Sequence, residues 1–91
     1  MVTLGTDTHK TSHTIIAVDD NGRELGHRTV SATSAGPLEA LDWATRWPER
    51  TWAIEGCRHL SRNLERDLIR AGERLVRGPA AAYGYGTRCE P

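Results

Sequence analysis

The sequence predicts a small α/β domain on a mixed five-strand sheet, in the order β-β-β-α-β-α-β. Three observations carry this reading. Short β-branched or apolar runs are bounded by turn residues. Two stretches between later runs carry apolar residues at helical spacing. An Asn-Gly pair, Asn21-Gly22, joins two of the early runs into a hairpin.

Val2 to Asp7 reads as the first strand, with Val2 and Leu4 on one face. Thr8 to Ser12 is polar and turn-like, and His13 to Val18 is a β-branched, buried strand. Asn21-Gly22 supplies the two positive-φ positions of a type I′ turn. Arg23 to Val30 returns as a third, more polar strand, suited to a sheet edge. Ser34 is placed to cap a first helix, and Pro37 costs no bond in its first turn. Leu38, Leu41, Ala44 and Trp47 give that helix an apolar stripe, and Pro48 is its stop signal. Thr51 to Glu55 is a fourth strand, and Gly56-Cys57 turns the chain. A second helix runs from about Leu60 to Ala71, with Leu60, Leu64, Leu68 and Ala71 on one face. Gly72 suits its C′ position, and Glu73 to Arg77 forms the last strand. From Gly78 the composition loses every long aliphatic residue. The expectation is one domain over residues 1–77 and a disordered tail over 78–91.

Three antiparallel strands followed by two right-handed αβ crossovers give the spatial order 3-2-1-4-5. Ligands of open α/β sheets sit at the carboxyl ends of strands, where the order reverses. That switch falls between strands 1 and 4, whose last residues are Asp7 and Glu55.

Composition sets the outer bounds. The 91 residues carry 12 basic and 12 acidic side chains, which excludes a strongly basic, histone-like binder. Eleven of the 12 basic residues are Arg, which fits both G+C-rich codon usage and phosphate recognition. No apolar run reaches membrane-spanning length, so no membrane partner is expected. Two cysteines, Cys57 and Cys89, and the absence of a signal-peptide pattern suit a reducing cytoplasm, bacterial by the resemblance given below.

Asp7 and Glu55 side by side repel unless a cation neutralises them. Mg²⁺ accepts one or two carboxylates and completes its shell with water and phosphate oxygens. The same two residues also read as plain polar strand ends. On the second helix Arg58, Arg62, Arg66 and Arg70 recur every four residues, a ridge for a nucleic-acid backbone or a set paired by Glu65, Asp67 and Glu73. Lys10 follows Asp7 closely enough to reach a phosphate, or is a solvated turn lysine. His9 and His13 could be read as a zinc pair and Cys57-Arg58-His59 as a thiol with a base, but both patterns are weaker than packing or solvent roles.

Gly5-Thr6-Asp7-Thr8-His9-Lys10-Thr11, the hairpin Asp19 to Gly26, Leu41 to Ala44, Trp52 to Gly56 and Ala71 to Val76, in this order, resemble a bacterial transposase family. It is the insertion-sequence-one-hundred-and-ten family, or DEDD transposases, and the likeness covers about residues 2–77. The resemblance implies an RNase H-like (RuvC-like) fold and Mg²⁺-dependent phosphoryl transfer on DNA. It implies Asp7 and Glu55 as catalytic metal ligands, a guide RNA, and homo-oligomers of full-length relatives. The family's two further Asp ligands and its Ser domain have no counterpart here. The expectation is therefore a domain incomplete at its C-terminus, interrupted at Gly78 and inactive alone. Two other readings stay open. One is an actin-like or sugar-kinase-type nucleotide-binding lobe, although Thr8 to Thr11 lacks the glycines of its phosphate turn. The other is a non-catalytic nucleic-acid-binding fragment.

Overall fold

A computed structural model describes residues 1–55 and 58–77, with the backbone alone at Arg58. The tail over 78–91 and the Gly56-Cys57 turn lie outside these residues. The elements are β1 (Val2–Thr8), β2 (Ser12–Val18), β3 (Glu24–Ser31), α1 (Gly36–Ala44), β4 (Arg50–Glu55), α2 (Arg58–Arg70) and β5 (Leu75–Arg77). The strands form one mixed sheet in the order β3-β2-β1-β4-β5. β1 pairs antiparallel with β2 and parallel with β4, and β3 and β5 are the edges.

Both crossovers step the same way along the sheet, so both helices cover the same face. One cross-sheet row makes this concrete. Arg28, Ile15, Thr6, Ile54 and Arg77 are register partners in turn. At one end of the row Arg28 meets Glu39 of α1, and at the other Arg77 meets Glu65 of α2. The core lies between this face and the helices: Leu4, Ile15, Ala17, Val30, Trp52 and Ile54 from the sheet, Ala40, Trp43, Ala44, Leu64 and Leu68 from the helices. The opposite face carries Thr3, Gly5, Asp7, Thr14, Ile16, Thr51, Ala53, Glu55 and Val76, and no described helix packs on it.

Three local expectations differ from the structure. The β2–β3 turn is not type I′, since Gly22 has positive φ and Asn21 does not. Gly22 N–H donates to Asp19 C=O and Asp19 N–H to Arg23 C=O, which is a type I turn closed by a glycine bulge. The Asp19 carboxylate fixes it by accepting the amides of Asn21 and Arg23. α1 begins after Ala35, and Ser34 does not cap it. Its stripe is also different: Leu38 is 70% exposed, while Pro37, Ala40, Trp43 and Ala44 are buried. Residues three apart drift backwards at about 100° per residue, so Leu38, Leu41 and Ala44 turn through about a third of the helix, and Trp47 lies beyond its end, since α1 stops at Ala44 rather than at Pro48. Trp43, set under Gly26 and edge-on to Trp47, decides the buried side.

α2 buries Leu64 and Leu68, and Leu60 only in part; Ala71 is exposed. Ser61 joins the buried side because it bonds Glu65 and Arg77. Its end is as expected. Gly72, at φ 82°, donates to Ile69 C=O, and Glu73 N–H donates to Leu68 C=O, the two bonds of a Schellman cap.

The β3–α1 junction has no room for a side chain at Gly36, where a Cβ would lie 1.9 Å from the Ser31 carbonyl oxygen. Helix propensity alone favours Ala over Gly by about 0.5–1 kcal/mol. The clash wins, and Gly36→Ala is expected to destabilise by roughly 1–3 kcal/mol in urea titration. An unchanged or higher midpoint would contradict this packing.

Candidate functional site

The register of β1 against β4 sets Asp7 opposite Glu55 on the uncovered face. The two strand ends are also tied by a side chain, where the Thr8 hydroxyl donates to the Glu55 backbone carbonyl at 3.0 Å. The carboxylates therefore belong to a fixed frame rather than to loops. The Asp7 side chain is 63% exposed, and its Oδ2 lies 3.0 Å from Nε2 of His9. This contact supplies a local partner for Asp7, and solvent screens its repulsion with Glu55.

The donor set fits a hard divalent cation in kind. Two carboxylates from adjacent strand ends, open to solvent, suit an ion that keeps water and takes phosphate oxygens. Among the described residues no cluster of three or more His, Cys, Asp or Glu is present, so those residues do not by themselves make a two-metal centre. His9 and His13 do not form a zinc pair: His9 is exposed beside Asp7, whereas His13 is buried on the helix-covered face. Cys57 lies outside the described residues.

Lys10 is exposed in the turn after β1, near the carboxylates in sequence. The arginines of α2 lie across the sheet from them. Arg62, Arg66 and Arg70 are exposed, and the side chain of Arg58 is not described. Two of the three acidic residues expected to pair them are engaged elsewhere, Glu65 with Arg77 and Glu73 with Arg50. Among the described residues Asp67 serves the series, at 3.3 Å from Arg66.

Two clefts deserve comparison. The larger, about 410 Å³, lies at the far end of the sheet and is lined by Pro48, Glu49, Arg50, Gly72, Glu73 and Arg74. Its central charges, Arg50 and Glu73, already neutralise each other. The second, about 190 Å³, is lined by His13, Thr33, Pro37, His59, Arg62 and Asn63 among others. His13 is 3% exposed, and its Nδ1 has no hydrogen-bond partner. Burial, with a smaller contribution from His9, pushes its pKa below the ordinary imidazole value. Sequence reasoning missed this cleft. The one available signal was alternation, which puts His13 in phase with Ile15 and Ala17 and so predicts a buried imidazole.

No known protein family matches the sequence, and no curated protein matches it either.

Proposed function

We propose that this chain is part of an RNase H-like DNA transposase domain, in which Asp7 and Glu55 hold a divalent cation against nucleic-acid phosphate. The observation that supports this reading is the parallel register that pairs Asp7 with Glu55 at the switch between β1 and β4. The strand order β3-β2-β1-β4-β5 is consistent with it. Asp7 and Glu55 would hold the cation, Mg²⁺ by its preference for one or two carboxylates with water and phosphate oxygens, and it would supply neutralisation of phosphate charge. DNA is the substrate class, and a guide RNA is the partner suggested by the resemblance.

Thermal melts at constant ionic strength test the cation site. Mg²⁺ at several times its Kd is expected to stabilise the parent chain by about 1 kcal/mol. For a domain this size that raises the melting temperature by roughly 4–8 °C. Asp7→Asn and Glu55→Gln should each remove most of that rise. Equal rises in parent and variants would leave both carboxylates as polar strand ends and end this reading.

A further inference from the structure

We infer that the cleft between β2, α1 and α2 binds a single phosphate group, held by Arg62, Asn63 and His59 with His13 forming its buried wall. The inference does not depend on the carboxylate pair, which lies on the other face of the sheet.

Three independent features converge on an anion of this kind. The first is charge. The described lining residues include Arg62, His59, Asn63 and Thr33 and no Asp or Glu. Arg62 has no ion-pair partner among the described residues, although Glu65 and Asp67 lie on the same helix.

The second is the helix itself. α2 is 13 residues long and has no acidic residue in its first turn. It opens instead with Arg58-His59, followed by Arg62. The macrodipole puts partial positive charge at this end, where cationic side chains are unfavourable and anions favourable. A bound phosphate offsets both the positive helix end and the side chains there.

The third is His13. Its ring is almost wholly buried, lines the cleft, and leaves Nδ1 without a partner. Buried polar atoms of side chains are nearly always hydrogen-bonded, so an orphaned nitrogen in a donor-rich wall calls for a ligand or bridging water. Burial pushes the imidazole toward its neutral form, whose ring carries one N–H.

A phosphate of this sort is presented by inorganic phosphate, by an internal phosphodiester, or by a terminal monoester of a nucleic-acid strand. The full chain labelled with ¹⁵N, titrated with inorganic phosphate against a chloride control of equal ionic strength, reads the site directly. Saturable shifts are expected at His13, His59, Arg62 and Asn63, with a millimolar Kd. Arg62→Gln should weaken binding by about tenfold, the scale of one charge-assisted hydrogen bond. Asn63→Ala, at an exposed position, should weaken it less and leave the fold intact. Oligonucleotides with and without a 5′-phosphate separate the sources. Preference for the phosphorylated strand identifies a terminal monoester, equal tighter binding identifies a phosphodiester, and no gain over inorganic phosphate identifies the free anion. Shifts that do not saturate, or that spread over Arg66 and Arg70 while sparing His13, would show only a diffuse ion atmosphere and overturn the inference. A full-strength response in Arg62→Gln would overturn it as well.

Discussion

Trp52→Ala is expected to lower the melting temperature by about 15 °C or more, enough to leave the chain largely unfolded at 37 °C. Trp52 is fully buried in β4, where it joins the sheet to both the core and the far rim. Truncating a buried tryptophan costs roughly 3–5 kcal/mol through lost burial and the cavity left behind. A domain of this length has only about 5–14 kcal/mol in total. Trp52 also donates from Nε1 to Oε1 of Glu73 at 2.7 Å. Trp52→Phe separates the two contributions, since it keeps most of the ring and loses the donor, for a loss of about 1–3 kcal/mol. Differential scanning calorimetry reads both. A fall under about 5 °C for the alanine variant would mean that the core closes over the gap.

Glu73→Ala is expected to cost about 3–5 kcal/mol, the scale of breaking a largely buried ion pair from one side. Arg50 Nε and a terminal guanidinium nitrogen meet the two Glu73 oxygens at 2.8 and 2.9 Å. The side chains are 18% and 11% exposed, so little water replaces what is lost. Burial alone would raise the Glu73 pKa; hydrogen bonds from Arg50 and Trp52 and the Arg50 charge outweigh it and hold the carboxyl below its usual value. A carboxylate with a depressed folded-state pKa stabilises the fold above its unfolded pKa. That contribution is lost as pH falls below about 4.5 and through the folded value. Stability curves of parent and variant should therefore converge on the acid side of pH 4.5 and stay apart near neutrality. Parallel curves across that window would assign the loss to packing instead of charge. The double replacement Arg50→Met with Glu73→Leu should recover much of the stability, because no charge is left stranded.

The sheet was legible because two signals agreed. Val2 and Leu4 on one face of β1 and the β-branched run of β2 marked strands with buried positions, and chain connectivity with right-handed crossovers left one order for the strands. The same reasoning brought Asp7 beside Glu55, although 48 positions separate them in the chain. What the sequence hid was chosen by tertiary contact. Asn21-Gly22 suits either hairpin turn, and the Asp19 carboxylate makes the choice by binding two amides. Leu38 is a good helix residue on either side of α1, and Trp43 under Gly26 turns it outward. The His13 cleft was illegible because its walls come from residues 13, 33, 59 and 62, whose meeting depends on where both helices settle.

A sheet whose described helices all lie on one side asks two different things of each strand. Positions in phase with Leu4, Ile15 and Trp52 answer to the core, and few residue types suit them. Positions in phase with Thr3, Thr14 and Thr51 answer to the fold hardly at all. This explains how a chain without a single Phe holds together, because only half of each strand must be apolar. It also separates two kinds of evolutionary pressure. Change along the open rows can accumulate with little loss of stability, so selection there is free to act on recognition alone. Variation within the helix-covered rows must keep volume and shape first, and any new contact they make comes second.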